Sequence, residues 1–145
     1  LIATPGEAIH YPKIKDLMVE NHKEFRIAEA MYDPWNATEF SQQLTEERIE
    51  MVEFRMNTAN LSEPTKALDA LIREGKVVHN GSPLLTWSLG NVVCKEDAAG
   101  NVFPRKSHEK LKIDPIVAII MALAGWTQSE KEESVYEGRG IRFLD

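Results

Sequence analysis

The chain has no G-x-x-x-x-G-K-[ST] phosphate loop, no H-E-x-x-H pair, no Cys-x-x-Cys and no G-x-S-x-G elbow. Those absences remove ATP hydrolysis by a phosphate loop, the familiar zinc sites and the serine-hydrolase elbow. A single cysteine, Cys94, cannot form an internal disulfide, so a reducing compartment is the natural setting. Within the apolar run Val92-Val93-Cys94 it is expected to be buried and inert. The longest apolar run, Ile116 to Ala124, is far too short to span a bilayer, and no cationic leader precedes it. A soluble, unsecreted protein with no membrane partner is expected. Basic excess is missing as well: the net charge is −6. A module that only grips DNA by its phosphates is usually basic, because counterion release drives that binding. A metal-dependent nuclease, whose site is itself acidic, is not excluded.

What is present suffices for one core: 145 residues, 43% hydrophobic and 28% charged, fit a folded domain rather than a disordered chain. The sequence opens on Leu1 without methionine, so a longer polypeptide is expected. Pro12 with Ile14, Leu17 and Met18 predicts a helix to about Lys23, and the alternation Phe25–Tyr32 a strand ending at Asp33-Pro34. Asn36-Ala37-Thr38-Glu39 has capping-box spacing and predicts a helix to about Glu47. A strand over Ile49–Phe54 is expected next, then a helix from Ser62 to about Glu74 with Gly75 as its stop. Lys76–His79 reads as a short strand, Pro83 to Asn91 as a helix, and Val92–Lys95 with Asn101–Phe103 as a hairpin around Ala99-Gly100-Asn101. A strongly apolar helix runs from Asp114-Pro115 to about Thr127, and the charged residues 128–145 are expected to form a loose, flexible tail. Strands alternating with helices indicate an α/β sheet layered with helices.

Few residues offer chemistry. His10, His22, His79 and His108 are scattered without ligand spacing and read as ordinary surface or core histidines. Two aspartates stand at element ends. Asp33 closes a predicted strand, where α/β sites collect, and Asp114 opens the most apolar helix. Together they would make an oxygen-rich site suited to magnesium or manganese. Each also has an ordinary structural reading: Asp33-Pro34 as a turn, Asp114 as an N-cap with proline following. Spacing alone does not bring them together. Arg105, Lys106, His108, Lys110 and Lys112 crowd into one stretch of an otherwise acidic chain, either as a solvated loop or as a phosphate-steering edge. Trp35 and Trp87 are expected to pack rather than stack on bases, Asn36 to cap its helix, and Asn80 and Asn91 are possible supports of a cleft.

Six motifs in order add a resemblance. Tyr32-Asp33-Pro34-Trp35-Asn36-Ala37, Glu50-Met51-Val52-Glu53-Phe54-Arg55 and Leu61-Ser62-x-Pro64-Thr65-Lys66 are followed by Gly75-Lys76-x-x-His79-x-Gly81-x-Pro83-x-Leu85. Trp87-x-x-x-Asn91 and the run Lys112 to Leu123 complete the series. Together they resemble the nuclease domain of tailed-bacteriophage terminase large subunits of the lambdoid and siphophage type, over residues 1–127. The resemblance implies a ribonuclease H-like mixed sheet flanked by helices, lacking its first strands here. It also implies two magnesium or manganese ions held by acids from three places. Asp33 matches the second acidic position and Asp114 the third. The first lies on a strand before this sequence begins, and Glu7, the only acid before Asp16, matches no motif position.

The implied activity is two-metal cleavage of concatemeric double-stranded DNA during genome packaging, in the host bacterial cytoplasm. Asp33 and Asp114 would be the catalytic and metal-binding residues, and Arg105, Lys106, Lys110 and Lys112 the DNA contacts. The implied partners are phage DNA, the small terminase subunit, the portal protein and an amino-terminal ATPase domain of the same polypeptide. The alternative is a catalytically incomplete portal- or DNA-docking module of the same motor. A transposase or integrase of similar fold is a weaker alternative, since those usually place a glutamate where Asp114 stands.

Overall fold

The computed structural model describes residues 8–35 and 37–137, with side chains described to Ser129. The chain divides between Arg55 and Met56 into two compact units.

The first unit begins with helix α1 (Tyr11–Phe25), whose His10 side chain accepts from Lys13 N and whose Pro12 sits in the first turn. The helix ends at Arg26 in the left-handed region (φ 51°). It therefore takes up Phe25, and the strand expected from there shrinks to β1 (Ala30–Tyr32). Helix α2 (Thr38–Glu46) carries the chain across to β2 (Met51–Glu53), which pairs with β1 in parallel, Ala30 opposite Met51 and Tyr32 opposite Glu53. Parallel pairing requires such a crossover. Ala37 occupies the cap position of α2 without a side-chain bond, and Asn36, on which the expected capping box depends, lies outside the described residues. At its far end α2 closes with Arg48 at φ 65° and Ile49 N donating back to Leu44 O (3.1 Å), which plants Ile49 in the core beside Leu44. This is the six-to-one closure that usually places glycine at the left-handed position. Phe54 completes the buried apolar set among the described residues of this unit.

The second unit begins with α3 (Thr58–Arg73), capped by Asn57 Oδ1 on Asn60 N (2.9 Å). The helix starts a turn before the expected Ser62, because Asn57 supplies the cap and Pro64 lies inside the helix rather than near its start. Gly75 (φ 66°) ends it with the same closure seen at Arg48, Lys76 N donating to Leu71 O. The strand expected over Lys76–His79 does not form: the segment has no regular structure and Val78 is 93% exposed. Helix α4 (Pro83–Gly90) is capped by Ser82, and β3 (Val92–Glu96) pairs antiparallel with β4 (Val102–Lys106). The Asp97 carboxylate accepts from Asn101 Nδ2, Asn101 N and Ala99 N, in that order of effect, which closes the turn and lowers its pKa from the ordinary value. Helix α3 packs against β4, and its buried Ser62 accepts at Oγ from Val102 N (3.0 Å).

Helix α5 (Asp114–Glu137) packs against α3 and α4 and buries Ile116, Ile120 and Ala124, with Leu61 and Leu68 supplied by α3. It continues past Thr127 through ten residues the composition had assigned to a loose tail, because Gln, Glu and Lys are good helix formers whatever their polarity. Residues 138–145 lie outside the described residues. Helices and strands therefore mix as expected, but among the described residues the strands fall into two small sheets, one parallel and one antiparallel.

Two packing expectations are corrected. Trp35 is 82% exposed and Trp87 half-exposed, so Trp35 in particular is not a core residue. Cys94 is exposed rather than buried, because the hairpin turns it outward. Partial desolvation and, secondarily, the Asp69 charge still push its thiol pKa up, so it stays a protonated, poor nucleophile.

Candidate functional site

Asp33 follows β1 in the first unit and is exposed. Its Oδ1 accepts from Trp35 N (3.1 Å), so the turn reading is realised, and Oδ2 accepts no hydrogen bond among the described residues. This local bond pins the carboxylate just beyond the carboxyl end of a parallel strand.

Asp114 is arranged differently. Ile113 O accepts from both Ile116 N (2.9 Å) and Val117 N (3.0 Å), so Ile113 is the cap and Asp114 the first helical residue. Pro115 has no N–H to lose in that turn. The Asp114 side chain is exposed and receives no hydrogen bond or ion pair among the described residues, so the expected N-cap bond is not made.

A groove of about 950 Å³ in the second unit is lined by Asp114 together with Arg105, Lys106 and Lys112. Its apolar wall comes from residues such as Phe103, Val117 and Met121. Lys110 is not among the lining residues. The Arg105 guanidinium lies over the Phe103 ring, 5.6 Å from its centroid, which restrains a long side chain at the groove edge. Lys106 Nζ donates to Glu109 O (3.0 Å), and His108 Nδ1 accepts from Lys110 N (3.3 Å). The basic stretch is thus an exposed turn held by local hydrogen bonds. Phe103 and Glu109 escaped the sequence reading: Phe103 looked like an ordinary strand residue, and no pattern marks Glu109.

Can these residues hold a divalent ion? No group of three or more His, Cys, Asp or Glu side chains placed to hold a metal occurs among the described residues. Each aspartate by itself fits as a ligand: Asp114 has both oxygens free and Asp33 has one. Hard cations take such carboxylates and complete their shells with water. The chain's described residues therefore offer single carboxylate contacts, not a complete cage. No helix among them is long and apolar enough to cross a membrane.

The family profile described as the terminase large subunit endonuclease domain matches residues 2–130. Protein YmfN of Escherichia coli strain K12 is 36% identical over 99% of this chain and 33% of its own length. The crystal structure of the HK97 bacteriophage large terminase superposes with a TM-score of 0.75 at 27% identity, over 84% of this chain and 26% of that one. The large terminase nuclease of the thermophilic phage G20c shares the fold, with a TM-score of 0.61 at 16% identity, over 82% of this chain and 62% of that one. These nuclease folds are ribonuclease H-like. The chain spans about a third of the length of YmfN.

Proposed function

The chain belongs to the family of terminase large subunit endonuclease domains, and from that membership we propose that it cuts concatemeric double-stranded DNA during genome packaging, with Asp33 and Asp114 as its metal-binding carboxylates. The observation that carries this reading is Asp114: an unpartnered carboxylate at a helix start, on a groove edged by Arg105, Lys106 and Lys112. An exposed, unused carboxylate beside cations suits a ligand for a metal facing phosphate.

Magnesium or manganese ions would supply an activated water and charge compensation at the leaving 3′ oxygen. Asp33 and Asp114 would hold them. Arg105, Lys106 and Lys112, with Lys110 on the adjoining surface, bind the DNA backbone and position it without reading sequence. An amino-terminal ATPase domain, the small terminase subunit and the portal protein are the partners this function requires, and the host bacterial cytoplasm is its place.

The test is nicking of supercoiled plasmid with Mg²⁺ or Mn²⁺ by the polypeptide that carries this chain, comparing Asp33→Ala and Asp114→Ala. Both variants should lose cleavage, while ATP hydrolysis by the same polypeptide persists. Normal nicking by either one overturns its assignment. DNA retarded but never nicked by the unaltered protein would identify a docking module instead.

A further inference from the structure

We propose that Asn91 is a positioning residue: it fixes the basic segment 107–112 and, through it, the point at which Asp114 enters the groove. The inference rests on the assignment of Asp114 as a metal ligand.

Asn91 is 7% exposed and ends α4, its backbone N–H donating to Ser88 O (3.2 Å). It directly precedes β3, whose first residue, Val92, pairs with Lys106 at the end of β4. The Asn91 carbonyl extends that pairing by one step, accepting from Ser107 N (2.8 Å). Its side chain does something a strand residue need not do: Nδ2 donates to Lys112 O (3.1 Å), across 21 positions of sequence. One buried residue therefore holds both ends of the segment 107–112.

The consequence reaches the carboxylate through two peptide planes. Fixing Lys112 O fixes the plane of the 112–113 peptide, and the next carbonyl, Ile113 O, is the acceptor that starts α5. Asp114 is the first residue beyond it. The same clamp sets Lys106 and Lys112 at opposite ends of the closed segment, both on the groove with Asp114. An amide is needed because the target is a carbonyl: an isosteric carboxylate would face oxygen with oxygen, and alanine would leave the part-buried Lys112 O without this donor.

The experiment follows Mn²⁺-dependent plasmid nicking and, by NMR, Mn²⁺ broadening of the Ile113, Asp114 and Ile116 amide signals, well below the melting temperature. Asn91→Asp and Asn91→Ala should raise the half-saturating Mn²⁺ concentration tenfold or more. Ser88→Ala is the control, a fully buried neighbour whose hydroxyl bonds only Leu84 O (2.8 Å); it should lower the melting temperature while leaving Mn²⁺ dependence unchanged. Should the Asn91 variants not fold, the unaltered protein still decides the matter: the Asn91 side-chain amide must be protected from solvent exchange, and free exchange overturns the clamp. Wild-type Mn²⁺ dependence in Asn91→Asp, with loss in Asp114→Ala, overturns the positioning role and leaves the nuclease assignment standing. An unchanged Mn²⁺ response in Asp114→Ala overturns the assignment itself and the inference with it.

Discussion

Asp33 and Asp114 are both followed by proline, yet the two Asp-Pro pairs are put to opposite uses. After β1, the chain turns so that the Trp35 N–H comes back to Asp33 Oδ1, and half the carboxylate is spent on its own backbone. At the head of α5, Ile113 O has already taken the Ile116 and Val117 N–H groups, and proline offers none, so Asp114 has no local donor to satisfy. The dipeptide does not decide whether a carboxylate is free. The backbone that follows it does: a turn follows Asp33, whereas Asp114 is followed by the first turn of a long packed helix.

The largest effect that could break this contrast is on cleavage. Asp33→Ala and Asp114→Ala should each slow plasmid nicking by about 100-fold or more, the order expected when several kcal/mol of metal stabilisation is lost. Asparagine sharpens the comparison: Asp33→Asn keeps an acceptor for Trp35 N and should keep the turn while losing cleavage, whereas Asp114→Asn has no local bond to preserve. A variant of Asp33 whose turn, read from the Trp35 amide shift, collapses in the asparagine form would contradict the account.

Next in size is packing. Leu44→Ala in the first unit and Ile120→Ala in the second remove side chains 0% and 1% exposed, and each should cost about 2–5 kcal/mol in denaturant unfolding. A loss below about 1 kcal/mol at either site would mean that its unit lacks a close-packed core.

Smaller effects separate the helix ends. Arg48 and Gly75 occupy the same left-handed closure. Arg48→Gly should stabilise and Gly75→Ala destabilise, each by about 1 kcal/mol, since the strain is conformational and nothing lies within 4 Å of an added Cβ at Gly75. Equal and same-signed shifts would defeat that explanation.

The smallest effects are on titration and run in opposite directions. In the first unit Lys15 lies 2.9 Å from Glu47 and lowers its pKa by hydrogen bonding and charge. Its contribution, slight for an exposed pair, is present above the ordinary glutamate pKa and fades as pH falls through the lowered value. In the second, the raised Cys94 pKa makes its linked stability complete below the ordinary thiol pKa and lost as pH rises through the raised value. Alkylation of Cys94 at pH 8 should be slower than that of a small free thiol, and Asp69→Asn should quicken it modestly. No change would assign the shift to desolvation alone.

Local chemistry made much of this fold readable. Pro12, Ser82-Pro83 and Asp114-Pro115 mark helix starts, Gly75 a stop, and Ala99-Gly100-Asn101 a hairpin, because each acts through its own backbone. Pairing was not readable: that β1 lies parallel to β2 depends on contacts between segments, and Val77-Val78 looks like a strand only until no partner strand meets it. The charged end of α5 shows that polarity is a poor guide to helix length. At the site, the cationic cluster was visible in composition, but its sharing of a groove with Asp114 was not, since the clamp on Lys112 comes from a residue 21 positions away. The pairing of Asp33 with Asp114 as ligands came from resemblance, not from spacing.

The Ser62–Val102 bond has an outcome for how the hairpin can meet other molecules. Asn101 and Ser107 bond back toward the β3 arm, so the alternating residues Val102, Pro104 and Lys106 turn their amides to the far side. The first of those three N–H groups is already taken by a hydroxyl, and the second does not exist. A ladder needs regularly repeated donors, and of these three positions only Lys106 has an N–H left to offer an incoming strand. Recognition along β4 therefore falls mainly to its side chains.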